Sequence, residues 1–112
     1  ILMVEIEFEN KKILLIEIYA PNGPQEHFFQ KLYNNIKKIQ YEEICILGDF
    51  NAIIDKTMDY KGENKKITRK KVLLKNFHDL AKETKIYDAC REHHPSKTQF
   101  TFYSNRHQSW SR

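Results

Sequence analysis

The chain has 112 residues, of which 40% are hydrophobic and 30% charged, a composition typical of one globular domain and not of a disordered or fibrous chain. No apolar run approaches the roughly 18 residues that a membrane-spanning helix needs, and the opening segment carries acids among its apolar residues, unlike a signal peptide. The 19 Lys and Arg residues outnumber the 15 Asp and Glu residues, which gives a net charge of +4. This balance favours a polyanionic partner without identifying one.

Two strands joined by a short turn are predicted at the start of the chain. Residues 2–8 alternate apolar and acidic side chains, which predicts a strand with one wet face. Residues 13–20 are more continuously apolar and are expected nearer the centre of the sheet, with a hairpin turn at residues 9–12. A loop follows at residues 20–24, where two prolines flank Asn22 and Gly23.

A helix and a third strand come next. Apolar residues recur at spacings of three and four over residues 25–39, which predicts an amphipathic helix. Residues 44–47 are four apolar residues in a row, which predicts a strand buried on both faces. This strand–helix–strand order is a crossover unit, so the strands at 13–20 and 44–47 are expected to share one sheet.

The strongest candidate for chemistry follows that third strand. Gly48 allows a sharp exit of the backbone or the close approach of a ligand. Asp49 and Asn51 come directly after it, and ligands of open α/β sheets bind at the carboxyl ends of strands. A carboxylate and an amide next to the core therefore indicate a functional site.

The second half of the chain is less regular. We predict a long loop at residues 52–67, a helix at 69–84, a strand at 99–104 and a polar, aromatic tail at 105–112. The basic run at 65–71 fits either a solvated surface or a patch that contacts phosphates. Asp88 is interpreted as a cap or turn acid that pairs with Arg91.

The adjacent histidines His93 and His94 and the two cysteines are interpreted as structural. His93 and His94 are adjacent on a segment expected to be extended, where neighbouring side chains point apart. Cys45 and Cys90 lie in apolar contexts without zinc-ligand spacing, so we expect two reduced thiols in or near the core of an intracellular protein.

Five segments in this order identify a resemblance. The chain resembles the endonuclease domain of LINE-type (non-LTR) retrotransposons, which belongs to the exonuclease III, apurinic endonuclease and DNase I-like superfamily. The segments are Ile18-Tyr19-Ala20-Pro21-Asn22, Leu47-Gly48-Asp49-Phe50-Asn51, Asp88 with Arg91 and His94-Pro95, Phe100-Thr101-Phe102-Tyr103-Ser104, and Ser111-Arg112. The resemblance implies an α/β fold that is part of a four-layered α/β sandwich, with two mixed sheets flanked by helices. Residues 1–112 would form a single partial domain, incomplete at both ends.

The resemblance also implies an activity, Mg²⁺-dependent (alternatively Mn²⁺-dependent) nicking of target DNA for retrotransposon integration. Asp49 would orient or deprotonate the attacking water, Asn51 would hold the phosphate or the nucleophile, and Tyr19 would donate a hydrogen bond to a phosphoryl oxygen. Asn22, Thr101 and Arg106 would contact the nucleic acid.

Part of the family's site is expected outside this chain. The family's principal metal-binding Glu would precede residue 1, and its Ser-Asp-His motif would follow residue 112. Asp49 and Asn51 are then at most two of the metal ligands, and we expect the isolated chain to be inactive. The expected partners are DNA and a reverse transcriptase in the same polyprotein, with no membrane or oligomer, and the expected place of action is the nucleus.

Two other functions remain open. One is another phosphodiesterase or phosphatase of the same superfamily, acting on phosphoinositides or sphingomyelin. The other is a non-catalytic nucleic-acid-binding remnant, in which residues 65–71 and 105–112 hold phosphates.

Overall fold

The computed structural model describes residues 1–62, 72–106 and 108–112, so the basic run at 65–71 and His107 lie outside the described residues. The described residues form the strands β1 (Leu2–Phe8), β2 (Lys11–Tyr19), β3 (Glu43–Asp49), β4 (Tyr60–Gly62), β5 (Phe102–Ser104) and β6 (Ser109–Ser111), and the helices α1 (Glu26–Ile36), α2 (Lys75–Thr84) and α3 (Ala89–His93). The predicted α/β class is confirmed, with two small sheets. None of the helices in these ranges is long and apolar enough to cross a membrane.

The chain divides into two compact units. The first comprises Ile1–Asn51 and Leu74–Ile86, and the second comprises Ala52–Leu73 and Tyr87–Arg112. A single domain over residues 1–112 stays a prediction, and each unit is described by itself.

The sheet of the first unit has the order β1-β2-β3. β1 and β2 pair antiparallel from Leu2↔Glu17 to Phe8↔Lys11, and the chain reverses at Glu9 and Asn10, whose φ angles are 49° and 62°. Two successive positive φ angles match the right-handed twist of a hairpin. The two predicted strands and the central place of the second are confirmed.

α1 carries the chain across the sheet between two parallel strands. β2 and β3 pair side by side from Ile13↔Glu43 to Tyr19↔Asp49, which confirms the predicted crossover. α1 ends at Ile36 rather than at residue 39, because Lys38 N and Ile39 N donate to carbonyls only three residues back in a tighter final turn.

Only one face of this sheet contributes to the core. Leu14, Ile16 and Ile18 of β2 are buried together with Phe29, Leu32 and Ile36 of α1 and with Phe77 and Leu80 of α2. The opposite face carries exposed apolar side chains, with Val4 42%, Phe8 61% and Leu47 49% exposed. The prediction that the third strand is buried on both faces is therefore wrong. Cys45 and Cys90 are free thiols as expected, but Cys45 is exposed rather than in the core.

α2 begins at Lys75, later than predicted. Val72 forms a parallel bridge with Ile53, and Leu73 N donates to Ile53 O at 3.0 Å. These contacts hold residues 72 and 73 in an extended conformation, which delays the helix. The helix ends at Thr84, as predicted, and the next residue, Lys85, has a left-handed φ of 57°, which is common at helix termini.

The sheet of the second unit has the order β4-β6-β5. β4 and β6 fall in segments predicted to be a loop and a tail, and the predicted strand at 99–104 is confirmed only from Phe102. α3 is a short helix that was not predicted. Asp88 caps it by accepting a hydrogen bond from Arg91 N at 3.0 Å, as expected for a cap residue.

Candidate functional site

The carboxyl ends of β2 and β3 lie side by side. Tyr19 and Asp49 are the last cross-strand partners of the parallel pair, and Ala20 N donates to Asp49 O at 2.8 Å just beyond it. Both side chains are exposed, and Tyr19 is 70% exposed. The parallel register thus brings a phenol and a carboxylate, 30 positions apart in the sequence, to one edge of the sheet.

Gly48 makes this edge possible. Its φ is +124°, and a Cβ added there would lie 2.0 Å from Ile18 O. Only glycine tolerates such a combination of positive φ and backbone contact. The close passage of the two backbones at Ile18 and Gly48 therefore fixes the point from which Asp49 emerges.

Asp49 and Asn51 form a tight polar turn. Asn51 N donates to Asp49 Oδ1 at 2.8 Å, a side-chain-to-backbone bond that mimics a turn. Asn51 adopts a left-handed φ of 46°, which asparagine tolerates better than most residues. Its Nδ2 donates to Ala20 O at 2.6 Å. The amide therefore also connects the turn after β3 to the loop after β2.

These bonds leave defined atoms for a ligand. The second oxygen of the Asp49 carboxylate can accept a hydrogen bond from water, and the Asn51 amide keeps its oxygen and its second N–H hydrogen. A carboxylate acceptor and an amide therefore lie in one turn, beside the end of the strand that carries the Tyr19 hydroxyl. Asn22 is exposed in the loop that follows Tyr19, within the same unit.

A buried glutamine supports this turn and was not predicted. Gln25 is 1% exposed, and its Nε2 donates to Pro21 O at 3.0 Å and to Phe50 O at 2.8 Å. It thereby joins the loop after β2 to the turn after β3. Its Oε1 is buried and accepts no hydrogen bond from any residue that the structure describes.

A sequence signal for this role exists, but it is weak. Gln25 occupies the N-cap of α1 without a side-chain capping bond. Glutamine is not among the residues favoured at an N-cap, so its presence there suggests another task. The helix pattern alone would place its side chain on the surface.

Thr101 and Arg106 belong to the second unit. Thr101 is exposed, and its N donates to Ser111 O at 3.0 Å. Arg106 is exposed in the turn that connects β5 to β6. Both are therefore accessible within that unit, whereas the Tyr19–Asp49–Asn51 set belongs entirely to the first.

A buried carboxylate organises the second unit. Asp59 is 3% exposed, and its Oδ2 accepts from Ile54 N at 3.2 Å and Asp55 N at 2.8 Å. The Arg91 guanidinium donates to Asp59 Oδ1, and Arg112 N donates to Asp59 O at 3.0 Å. Asp59 thus joins the loop before β4 and α3 through its carboxylate, and the residue after β6 through its backbone carbonyl.

Asp88 completes the network. Arg112 Nη2 donates to Asp88 Oδ1 at 2.6 Å, whereas Arg91 reaches Asp88 only through its backbone N–H. Partial burial acts to raise the pKa of Asp88, but the hydrogen bonds from Arg91 N and the Arg112 guanidinium outweigh it, so the pKa lies below its ordinary value. Asp59 and Asp88 thus serve as structural acids.

Charge is distributed unevenly between the units. The first unit contains 8 Lys and Arg residues against 10 Asp and Glu residues, a net charge of −2. The second contains 11 against 5, a net charge of +6 that includes the basic run by its sequence. The basic character of the chain is therefore a property of the second unit.

The described residues do not by themselves form a metal site. Within residues 1–62, 72–106 and 108–112, no three His, Cys, Asp or Glu side chains lie close enough together to hold a metal ion. Asp49 and Asn51 offer one carboxylate and one amide, and one Asp49 oxygen already accepts from Asn51 N. His93 and His94 are exposed at the end of α3.

No protein-family model matches the chain.

Proposed function

We propose that this chain is the central part of the endonuclease domain of a LINE-type retrotransposon and that it acts on DNA phosphodiesters. The observation that carries the proposal is the register Tyr19↔Asp49, together with the Asp49–Asn51 turn directly beyond it. This register assembles a proton acceptor, an amide and a phenolic donor at the strand ends where α/β proteins bind ligands.

The chemistry follows from these three groups. Asp49 accepts a proton from water through its second carboxylate oxygen and so orients the water for in-line attack on phosphorus. Asn51 and Tyr19 donate hydrogen bonds to the phosphoryl oxygens, where negative charge develops. The P–O3′ bond breaks, the departing 3′ oxygen takes up a proton from solvent, and the nicked strand keeps a 3′-hydroxyl and a 5′-phosphate.

The complete domain would also use Mg²⁺ or Mn²⁺. Mg²⁺ requires near-octahedral oxygen ligands, commonly with one or two carboxylates, and Asp49 and Asn51 alone do not provide that set. The resemblance assigns the principal carboxylate to a segment before residue 1. Asn22, Thr101 and Arg106 would contact the DNA backbone, the parent polyprotein would carry a reverse transcriptase, and the domain would act in the nucleus.

The exposed apolar sheet face supports a four-layered sandwich as the complete fold. Val4, Phe8 and Leu47 leave one face of the β1-β2-β3 sheet apolar and exposed, while the other face is buried in the core. The apolar faces of β-sheets normally pack on a second layer of structure. A second sheet facing this one would complete a sandwich with α1 and α2 on its outside.

The apolar face gives a first prediction. We expect Val4→Lys to lower both the self-association of the isolated chain and its binding of the apolar dye ANS, with little change in Tm, because the side chain is already exposed. The matched control is Ile16→Lys on the buried face of the same sheet, which should unfold the first unit. Light scattering, dye fluorescence and thermal unfolding measure these effects. A large fall in Tm for Val4→Lys would show that this face is already covered.

The catalytic proposal gives a second prediction. The isolated chain should not nick supercoiled plasmid, whereas a longer chain with its flanking segments should nick it in Mg²⁺. In that longer chain, Asp49→Asn should lower the nicking rate by about a hundredfold or more, because the amide cannot accept the proton of the attacking water. Gel electrophoresis of the plasmid measures the rate.

The matched control is Asp79→Asn, an exposed aspartate on α2 in the same unit, which should keep the full rate. Equal activity of the Asp49→Asn and Asp79→Asn variants would contradict the role of Asp49. Nicking by the isolated chain that disappears in an Asp49→Ala variant would show that the chain needs no flanking segment.

A non-catalytic nucleic-acid-binding protein is the second candidate. The net charge of +6 on the second unit favours it, because lysines and arginines bind phosphates without base specificity. A salt-dependent DNA affinity that is insensitive to Asp49→Ala, combined with inactivity of the longer chain, would support this candidate over the enzyme.

A further inference from the structure

One face of the β4-β6-β5 sheet is an exposed row of aromatic side chains next to a lysine. Tyr103, Trp110 and Lys61 are direct cross-strand partners on β5, β6 and β4, so their side chains lie on the same face. The Tyr103 and Trp110 ring centroids are 4.6 Å apart, and Phe100 lies beside Trp110 at 6.4 Å. We call Tyr103, Trp110 and Lys61 the aromatic platform.

The rings of the platform are accessible. Tyr103 is 42% and Trp110 46% exposed, although Trp110 is on the central strand of its sheet. A cross-strand aromatic pair can stabilise a hairpin without any ligand. The residues on the other face of β6, however, show that this strand also buries side chains. Ser109 and Ser111 are 5% and 4% exposed, so β6 exposes its one large ring and buries its two serines.

The charge around the platform selects the kind of partner. Of the acids that the structure describes in this unit, Asp59 and Asp88 are paired with Arg91 and Arg112. Lys61 and Arg106 are exposed on β4 and in the β5–β6 turn, and the described residues of this unit include 6 Lys and Arg residues against 4 Asp and Glu residues. A polyanion that carries flat apolar groups complements such a surface.

We infer that the aromatic platform binds unpaired bases of single-stranded DNA. Exposed Tyr and Trp rings stack on the faces of bases, which are accessible only where the bases are unpaired, and adjacent Lys and Arg side chains bind the phosphates. The choice of DNA rests on the proposed function, but binding at the platform does not depend on Asp49. The platform gives the second unit a ligand of its own, a strand that has been opened next to a nick.

The test uses the fluorescence of Trp110, the only tryptophan of the chain. An oligothymidylate of about ten nucleotides is titrated into the chain, and tryptophan quenching and fluorescence anisotropy of the labelled oligonucleotide are both followed. We expect the oligonucleotide to bind and quench Trp110, and the duplex of thymidylate with adenylate to bind more weakly and without comparable quenching. Binding by anisotropy without quenching would overturn the inference and leave the proposed function intact.

Two substitutions sharpen the test. Tyr103→Leu should weaken the binding of the single strand by about fivefold to a hundredfold, because one stacking surface is lost. Tyr87→Leu is the matched control, since Tyr87 is 70% exposed in the same unit but lies outside the sheet, and it should change affinity less than about twofold. Lys61→Gln should lower the slope of log affinity against log salt by about 0.7.

The remaining outcomes are also decisive. Equal affinity of the Tyr103→Leu and Tyr87→Leu variants overturns the inference, as does tighter binding of oligouridylate than of oligothymidylate. If Tyr103→Leu fails to fold, Tyr103→Phe replaces it; this variant keeps the stacking ring, so a clear loss of affinity or quenching in it overturns the inference. No binding of either single-stranded or duplex DNA would overturn both this inference and the proposed DNA substrate.

Discussion

Replacing Gly48 by alanine is expected to destabilise the chain by at least about 3 kcal/mol. The new methyl group would lie 2.0 Å from Ile18 O, and residue 48 would have to keep a φ of +124°. Neither the clash with a backbone atom nor the unfavourable backbone angle can be relieved by a change of side-chain rotamer. Because the total stability of a domain this size is about 5–15 kcal/mol, the first unit should be largely unfolded under mild denaturant. Urea unfolding followed by circular dichroism measures the loss.

Gly23→Ala is the matched control. A Cβ on Gly23 would meet no heavy atom within 4 Å, so this variant should unfold close to wild type. A Gly48→Ala variant with wild-type stability would mean that β2 and β3 do not approach each other as closely at Ile18 as described. The same result would remove the physical reason for the position of Asp49.

Replacing Asp59 by asparagine is expected to cost about 3 kcal/mol. The change keeps the side-chain size but removes the negative charge that the Arg91 guanidinium and, at 3.9 Å, Arg112 Nη1 approach. It also places an NH₂ group where Asp59 Oδ1 or Oδ2 now accepts hydrogen bonds. Because the carboxylate is buried and both arginines are mostly buried, water cannot replace the lost partner.

Glu43→Gln provides the contrast, since it makes the same acid-to-amide change in an exposed ion pair. The Lys11–Glu43 contact of 2.8 Å is more than half exposed on both sides, and such pairs contribute little to stability. Denaturant unfolding of the two variants should therefore differ clearly. Equal losses would show that Asp59 does not organise the second unit. In that case, trypsin would digest the segment between Ala52 and Leu73 no faster in the Asp59→Asn variant than in the wild type.

The first unit could be predicted from the sequence because its elements are long and regular. The apolar run of β2, the helical spacing of Phe29, Leu32 and Ile36, and the loop at Pro21 each indicate one structure only. The burial of β3 could not be predicted, because a run of four apolar residues does not reveal whether a second layer covers the strand. Among the residues that the structure describes, Leu47 is 49% exposed.

The short strands of the second unit were missed for a different reason. β4 is Tyr-Lys-Gly and β6 is Ser-Trp-Ser, and three residues are too few to show a period of two. β4 becomes a strand through a partner more than 40 positions away in the sequence, and β6 through pairing with both β4 and β5. Tertiary contact, not local preference, decides their conformation.

The candidate site was partly predictable by the same logic. Tyr19 ends the second predicted strand, and Asp49 and Asn51 follow the third. Because the predicted crossover makes these strands parallel in one sheet, it places the three residues at the same edge. Gln25, Asp59 and Arg112 owe their roles to burial and to distant partners. These features leave at most a weak pattern in the sequence, such as the glutamine at the N-cap of α1, so the roles of these residues were found only in the structure.

The order β4-β6-β5 has a consequence for the timing of folding. The last strand in the sequence is the central one, so β4 and β5 have no partner in this sheet until residues 109–111 are available. β5 and β6 are neighbours in the sequence and pair as a hairpin, whereas β4 joins them only after a loop of nearly 50 residues closes between Lys61 and Trp110, and such non-local pairing is slow. The single tryptophan lies on that last strand, so its environment changes in the step that completes the unit.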